Sequence, residues 1–478
     1  MSCLLLGGGT RGGFLSDALL QLFSIPVFLA ALSRLLDAPL SKERRWALVF
    51  CAAIVAVPLI QLIPLPPAIW MHLPGREVVA EAFERLGRPP SWMSISMAPE
   101  ATWLAGLSLL PPIAIFLSTL TLGWRDRRLM SFALIAFGVI SVFLGLIQLA
   151  QGPSSSLRFF EFTNPEDAVG FFANRNHFSA LLYSAILLTA AVLVPQIKTL
   201  SSGLKRRESF DASSAMGAIA VGVSLIVLIV GVAIARSRAG IILTLAALLA
   251  SLAIDRDRRH LVDKFTLPRF LAAIVVLAVI LLGQSALSRL LDRFDADPLA
   301  DARLIFAGNT IAAAKSVTPV GAGLGSFPSI YPTFEKPADL LTGVYANHAH
   351  NDLLELWLET GFIGPLLLIA FLIWLVRKAI GAWAAPNPAL LPVDRTLVRA
   401  SIFIILLLLG HSLVDYPLRA SAMAGLLAFA CGLLIDPPIV SAAATAPIAN
   451  SDHDRHRKNM MAPLKGTRPE RMSFSSPS

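Results

Sequence analysis

The chain has 478 residues, of which 55% are hydrophobic and only 15% are charged. A soluble domain carries about 25% charged residues, so this composition excludes an ordinary soluble protein. Apolar runs long enough to cross about 30 Å of hydrocarbon recur along the chain, and they do not alternate in hydrophobicity as the strands of a membrane β-barrel do. We therefore predict an all-α, polytopic membrane protein with eleven or twelve spanning helices.

Eleven apolar segments are predicted to span the membrane. They lie at residues 14–33, 46–66, 101–122, 129–150, 177–197, 215–235, 239–254, 270–287, 362–376, 399–414 and 420–435. Residues 1–436 are thus predicted to form the membrane domain, in which 67–100 leave room for an interfacial or re-entrant piece. No cleavable signal peptide is expected, because no small-residue cleavage site follows a short apolar core. Residues 437–478 are rich in Pro, Ala, Ser and basic residues, which predicts a disordered tail.

The basic residues predict the orientation of the spans. Of the 40 lysines and arginines, 20 fall in short segments on one side of the predicted membrane, and six more lie in the tail on the same side. The positive-inside rule places that side in the cytoplasm and the long loop 288–361 outside. The net charge of +9 is explained by this topology and gives no evidence for a nucleic-acid partner.

Four consecutive polar residues stand at the head of the fifth predicted span. They are Asn174, Arg175, Asn176 and His177, in the segment GFFANRNHFSALL. An asparagine can cap a helix by accepting hydrogen bonds from free backbone N–H groups. A cap needs one residue and this run has four, so we predict that it also lines a polar cavity or a lipid headgroup site.

Arg236 and Arg238 lie in a short turn between two apolar segments, on the side where positive charge is disfavoured. One interpretation is that they extend to lipid phosphates at the membrane surface. The other is that their planar guanidinium groups bind phosphate oxygens of a ligand. Ser237 and Gly240 would let the backbone approach such a ligand.

The predicted outer loop carries Arg303 on residues 302–316, a segment that predicts a short amphipathic helix. The following GAGLGSF, residues 321–327, has the spacing GxGxG and no strand–helix unit around it, so it does not predict a dinucleotide site. We expect these glycines to form a tight loop over the membrane surface.

Residues 345–364, YANHAHNDLLELWLETGFIG, are the densest polar stretch at a membrane boundary. Polar groups are costly beside lipid and are therefore functional candidates. Asp352 and Glu355 form a D-x-x-E capping pattern, which predicts a helix from near Asn351 to Gly361. His350 stands just before this helix, where it can exchange a proton near neutral pH, and the positive end of the helix favours its neutral form.

Two further interpretations concern the neighbouring histidines. His348 is one strand-like step from His350, and we expect it to face elsewhere and to tolerate substitution better. Alternatively, His348, His350 and Asp352 could bind a metal ion, although their spacing matches no recognised site. His411 and Asp415, in HSLVDYPLR, form a second pair that either supports the site or is purely structural.

The order of these elements resembles the O-antigen ligase and polymerase superfamily of bacterial inner-membrane glycosyltransferases. The shared elements are F-x-N-x-N-H at a helix start, an S-R-(small)-G turn, a large outer loop with an Arg-containing helix, PxGxGxGSF, and H-N-D-x-L-x-x-x-x-E-x-G-x-x-G. The resemblance covers roughly residues 100–435. The chain departs from the family in its odd helix count and in the second histidine of NHAHND.

The resemblance implies a metal-independent, cofactor-free enzyme of the bacterial inner membrane, surrounded by membrane lipids, with its active site on the periplasmic side. Such enzymes transfer a glycan from undecaprenyl diphosphate to a hydroxyl of the lipid A core, of a growing glycan chain or of a protein. Matching positions make Arg238 and Arg303 the groups expected to neutralise the diphosphate, and His350 the expected base or acceptor-positioning group. The other expected substrate-binding residues are Asn174, Arg175, Asn176, His177, Arg236, Asn351 and His348.

A secondary transporter or channel for a polar solute is the alternative from another class. Transport sites lie near the membrane midplane, whereas the polar residues here collect at one predicted face, which favours the enzyme. A lipid-binding scaffold without catalysis is a third interpretation.

Overall fold

The computed structural model describes residues 1–10, 15–37, 39–161, 163–206, 212–255, 283, 298–337, 345–384 and 390–436. The predicted span 270–287, apart from residue 283, and the predicted tail 437–478 lie outside these ranges. The helices of the described residues are Ser2–Leu6, Leu15–Leu36, Lys42–Gln61, Pro67–Trp70, Glu77–Arg85, Pro99–Ser108, Leu110–Thr121, Trp124–Gln151, Arg175–Arg206, Ala212–Ala235, Arg238–Ser251, Pro298–Val317, Phe327–Ile330, Asp352–Thr360, Ile363–Ala384, Pro392–His411 and Ser421–Leu433. The all-α membrane architecture predicted from the sequence is confirmed.

Six helical segments of the described residues are long and apolar enough to cross a membrane: Leu15–Leu36, Pro99–Thr121, Trp124–Gln151, Arg175–Ser202, Ala212–Ala235 and Ile363–Ala384. Two shorter apolar helices, Arg238–Ser251 and Ser421–Leu433, coincide with two other predicted spans. Helices also form at the predicted spans 46–66 and 399–414, but their first turns carry charged residues. Eight of the predicted spans thus coincide with apolar helices, and the remaining two described ones with helices that begin with charge.

The helix Arg175–Arg206 is the centre of the bundle. The most apolar stretch of this helix is 94% buried, whereas the corresponding stretch of the helix Ile363–Ala384 is only 11% buried. Small residues let neighbouring helices approach it, as is typical of membrane helix pairs. A Cβ atom on Gly240 would lie 2.4 Å from the Cβ of Ser179, so the helix that begins at Arg238 packs directly against this central helix.

Part of the predicted outer loop packs around a small hydrophobic core that is separate from the core of the helix bundle. This core joins the loop helix (Pro298–Val317), the short acidic helix (Asp352–Thr360) and the one-turn helix Phe327–Ile330. Its buried side chains include Phe306, Phe327 and Tyr331. The predicted helix at 302–316 is confirmed, and this part of the loop carries Arg303 and His350 on a packed support.

The glycine loop, residues 321–325, packs against the end of the short acidic helix. Gly321, Gly323 and Gly325 all have positive φ angles, a conformation that glycine adopts without strain. The amide of Gly323 donates to the carbonyl of Glu359 at 2.9 Å, and the side chain of Gln61 bonds both to this carbonyl and to the loop. The tight loop predicted from the sequence is present, and it fixes the carboxyl end of the acidic helix.

Residues 67–100 left room for an interfacial or re-entrant piece, and the structure has short elements there up to residue 98, before the helical segment Pro99–Thr121 begins. Pro64–Leu65 pairs antiparallel with Met93–Ser94, and the short helices Pro67–Trp70 and Glu77–Arg85 lie between these strands. The buried guanidinium of Arg76 donates to the carbonyl of Gly321 at 3.2 Å, which ties this segment to the glycine loop.

Candidate functional site

A chain of hydrogen bonds joins four polar residues that are far apart in sequence. The hydroxyl of Ser237 donates to Asn176 Oδ1 at 2.7 Å, and Asn176 Nδ2 donates to Asp415 Oδ2 at 2.6 Å. The other oxygen of Asp415 lies 3.2 Å from Nδ1 of His350. The structure therefore brings together three of the polar segments predicted from the sequence and the segment HSLVDYPLR.

Each member of this chain is held by the end of a helix. Asn176 lies in the first turn of the central helix, and Ser237 caps the next one by accepting from the amide of Gly240 at 2.9 Å. Asp415 follows the helix Pro392–His411. The hydrogen bonds of the chain hold these side chains against one another across the helix ends.

His350 is held on three sides. Its φ of +50° is uncommon for a residue other than glycine. Its ring stacks on Phe306 at 6.1 Å between centroids and meets Tyr416 edge-on at 4.9 Å. Phe306 lies one helical turn after Arg303, so the loop helix carries both a support for His350 and a candidate phosphate ligand.

Asp415 is completely buried and remains ionised. Burial alone would raise the pKa of its carboxyl, but the hydrogen bond from His350 and the nearby histidines lower it well below the usual range. A carboxylate accepts hydrogen bonds only, so Nδ1 of His350 carries the proton in this pair. In the neutral ring, Nε2 of His350 is then the nitrogen without a proton.

The three predicted arginines lie on exposed surface around this chain. Arg238 is the first residue of its helix, and Arg236, with a φ of +54°, precedes the capping Ser237. Arg303 is exposed on the loop helix and lies close enough to His411 to act on it electrostatically.

Beside the histidine lies a cluster of three buried carboxylates around one guanidinium. Arg419 donates to Glu359 Oε2 at 2.7 Å and lies 3.5 Å from both Glu355 Oε1 and Asp352 Oδ1. Ser412 donates to the second oxygen of Asp352 at 2.7 Å. The cluster fastens the acidic helix to the segment that follows Pro392–His411, and that segment also contains Asp415.

The carboxylates of this cluster differ in their affinity for protons. Burial raises the pKa of Asp352 to about 6 although Arg419 opposes the shift. Burial also raises the pKa of Glu359, against the opposing charge of Arg419. For Glu355 burial acts in the same direction, but Arg419 and His348 outweigh it and lower its pKa.

The sequence pattern predicted that Asp352 and Glu355 cap the acidic helix, and this prediction is wrong. Asn351 is the cap: its Oδ1 accepts from the amides of Leu353 and Leu354 at 3.0 and 3.1 Å. Asp352 and Glu355 turn into the protein instead, toward Arg419. The helix bounds near Asn351 and Gly361 are confirmed.

The structure also corrects the expectation that His348 faces away from the site. Its ring lies 4.4 Å from the ring of Tyr416, which His350 contacts as well. Nδ1 of His348 lies 2.8 Å from Glu355 Oε1, and Nε2 lies 3.2 Å from the carbonyl oxygen of Thr10. Both histidines therefore belong to one cluster of side chains.

The remaining residues of the first polar segment have structural contacts. Asn174 accepts from the amide of Asn176 at 2.7 Å and so begins the central helix. Arg175 forms an ion pair with Asp167 at 2.7 Å. His177 is fully buried, with its ring 5.2 Å from Tyr416. Their predicted contact with substrate stays a prediction.

His411 and Asp415, which the sequence analysis treated as a pair, have different partners in the structure. Nδ1 of His411 lies 3.2 Å from the hydroxyl of Tyr183 in the bundle core, whereas Asp415 bonds to the site. Within the described part of the chain, no group of three or more His, Cys, Asp or Glu side chains is placed to hold a metal ion. The three residues of the metal interpretation have three different partners: Glu355, Asp415 and Ser412.

Sequence reasoning missed Tyr416, Arg419 and the contact of Thr10 with His348. One signal for Arg419 was available, since Glu355 and Glu359 are four residues apart and like charges at that spacing destabilise a helix. Two such carboxylates on one buried face require a shared cation. The contact made by Thr10 left no signal, because a backbone carbonyl has no residue type.

Comparison with known protein families finds a match over part of the chain. Residues 223–370 match the model of a family described as Wzy_C, O-Antigen ligase. The matched range contains Arg238, Arg303 and His350 and ends before Asp415. A comparison with curated proteins finds no match.

Proposed function

We propose, from the membership of this chain in the O-antigen ligase and polymerase superfamily, that it transfers a glycan from undecaprenyl diphosphate to an acceptor hydroxyl. The acceptor is the lipid A core, a growing glycan chain or a protein side chain. The spanning helices and the family suggest a multi-pass protein of the bacterial inner membrane. The crowding of basic residues in the short loops supports a reaction on the periplasmic side.

The pair of His350 and Asp415 is the observation that carries this proposal. Because Asp415 fixes the proton on Nδ1, Nε2 of His350 can accept the proton of the acceptor hydroxyl. The hydroxyl oxygen then forms a bond to the anomeric carbon of the donor sugar. The bond from that carbon to the diphosphate breaks, and undecaprenyl diphosphate leaves with the electron pair.

Arg238 and Arg303 are assigned to the diphosphate. The charge that develops on the leaving group requires positive groups placed in advance, and a guanidinium binds phosphate oxygens through two parallel hydrogen bonds. Both side chains are exposed. Arg238 begins the helix that Ser237 caps, and Arg303 precedes Phe306, which stacks on His350, by one turn of the loop helix. In this proposal the two arginines take the place that a metal ion has in other transferases.

A transfer assay tests the base. Purified protein in lipid nanodiscs is supplied with a lipid-linked glycan and an acceptor, with and without a chelator. His350→Ala is expected to lower the rate by about 10²–10⁴-fold, the usual contribution of a positioned base. Asp415→Asn is expected to fall in the same range, because an amide can donate to Nδ1 and so reverse the tautomer.

His72→Ala is the matched control, since His72 is exposed in the segment 64–98. Its rate is expected to equal that of the wild-type protein, and the chelator is expected to change nothing. Wild-type rates in both His350→Ala and Asp415→Asn would remove the base from the mechanism. Solute movement across the membrane without any transfer would favour the transporter instead.

A further inference from the structure

Both ring nitrogens of His348 face acceptors. Nε2 lies 3.2 Å from the carbonyl oxygen of Thr10, a group that only accepts hydrogen bonds, so this nitrogen carries a proton. Nδ1 lies 2.8 Å from Glu355 Oε1. The other oxygen of Glu355 accepts from the amide of Ala349 at 2.9 Å, and Arg419 lies 3.5 Å from Oε1. The amide bond and the nearby guanidinium charge stabilise Glu355 as a carboxylate, so Nδ1 carries a proton too.

We infer that His348 is held as an imidazolium and that it docks residues 1–10 onto the site. His350, two residues later, has the opposite state, with one nitrogen protonated and the other basic. This second half of the inference rests on the proposed function. His348 is thus a positioning residue, which fixes the loop 345–351.

The segment that His348 docks also forms backbone hydrogen bonds with two other parts of the chain. The carbonyl of Gly8 accepts from the amide of Ala173 at 3.0 Å, and the carbonyl of Gly7 accepts from the amide of Ala422 at 2.9 Å. A Cβ atom on Gly8 would lie 2.2 Å from the carbonyl oxygen of Phe171, so only glycine allows this approach. The segment therefore joins the starts of the central helix and of Ser421–Leu433, and Thr10 extends it to His348.

The charges around His348 favour the imidazolium form. Burial opposes the charge, but Glu355 and Glu359 outweigh burial and the repulsion from Arg419, so the pKa of His348 is raised. The ring of Tyr416, whose centroid lies 4.4 Å away, adds the attraction of an aromatic face for a cation. The ring of His350 contacts Tyr416 as well, and its partner Asp415 adds one carboxylate.

The sign of the pH dependence follows from this raised pKa. The stabilisation by the imidazolium is complete below pH 6.5, the ordinary value, and is lost as the pH rises through the higher folded value. Docking of residues 1–10 is therefore expected to weaken on the alkaline side.

Nuclear magnetic resonance of the ring nitrogens tests the charge directly. The chain has 8 histidines, so protein with ¹⁵N-labelled histidine in nanodiscs is compared with the variant His348→Gln to assign the signals. Both nitrogens of His348 are expected to be protonated at pH 7 and to lose the second proton only at higher pH. One bare nitrogen at pH 7 would overturn the inference.

Labelling of a thiol tests the docking. Cys3 is 5% exposed, and its thiol donates to the carbonyl of Ser421 at 3.0 Å, so its reaction with a maleimide reports release of the segment. In a background with Cys51→Ala and Cys431→Ala, His348→Gln is expected to label at pH 7 about ten times faster, the factor for one lost charge-assisted hydrogen bond.

Two variants in the same background calibrate this measurement. Gly8→Ala is expected to label at least as fast as His348→Gln, because its methyl group displaces the segment. His72→Gln, at an exposed site, is expected to label like the unaltered background. A slow, unaltered rate in His348→Gln would overturn the docking role.

The two proposals fail separately in these experiments. A doubly protonated His348 with a protected Cys3, in a protein that transfers no glycan, would refute the proposed function and support the inference. Transfer by a protein in which His348 is neutral would refute the inference alone.

Discussion

The substitution Arg419→Ala is the sharpest test of how the site is held together. Arg419 is the shared partner of Asp352, Glu355 and Glu359, whose side chains are between 0 and 9% exposed. Removing one partner of a buried ion pair costs about 3–5 kcal/mol, because the other charge stays in place without compensation. Here three carboxylates would share the single remaining charge of His348, so we expect the upper part of this range.

Thermal unfolding in detergent measures this loss. A change of 1 kcal/mol shifts the midpoint by about 2–4 °C in chains of 150–250 residues, and by less in longer ones, so we expect a fall of about 5–10 °C. Arg85→Ala is the matched control, because Arg85 forms an ion pair with Glu81 on the surface, with its side chain 79% exposed. Exposed pairs of this kind contribute little, so this control is expected to unfold like the wild-type protein.

The pH dependence identifies the cause of the loss. Burial already raises the pKa of Asp352 and of Glu359, and without Arg419 both are expected to rise further. Protonation then removes the uncompensated charge as the pH falls, so the deficit of Arg419→Ala should be smaller at pH 5 than at pH 8. Adding Glu359→Gln should restore part of the stability at pH 8. Equal midpoints for Arg419→Ala and Arg85→Ala would refute the reasoning.

Three further predictions concern the ligand, the orientation and the acidic helix. Arg238→Ala and Arg303→Ala are expected to abolish transfer while the protein stays in the membrane. Lysine at either position is expected to restore little transfer, because it lacks the bidentate fork of a guanidinium. Near-normal transfer by both alanine variants would exclude these arginines as ligands of the diphosphate. A reporter active only in the periplasm is expected to be active when fused after Ser326 and inactive after Arg207, and the reverse pattern would invert the topology. Gly361→Ala is expected to lower the unfolding midpoint, because the residue has a φ of +60° and its Cβ would lie 1.9 Å from the carbonyl oxygen of Pro319. The backbone conformation alone would cost about 1–3 kcal/mol. An unchanged midpoint would contradict this expectation and mean that the glycine loop can move away.

The sequence by itself determined the class of the protein and the parts of the chain that form the site. Hydrophobic runs identify spanning helices because a membrane admits few other backbone structures. Polar residues at the ends of those runs stand out because the surrounding composition is so apolar. Asn176, Ser237, His350 and Asp415 were all found in this way, as were the bounds of the acidic helix.

Only the tertiary structure decided which of these residues bond to one another. Asp415 was paired with His411 by proximity in sequence, yet it bonds to His350 and Asn176, which are 65 and 239 residues away. Asp352 and Glu355 match a capping pattern, but the burial of Arg419 draws them inward and leaves the cap to Asn351. The role of His348 depends on a backbone carbonyl at Thr10. Hydrophobic periodicity and local polar patterns can be recognised in the sequence. The hydrogen-bond partner of each polar side chain depends instead on which groups the packed helices bury together.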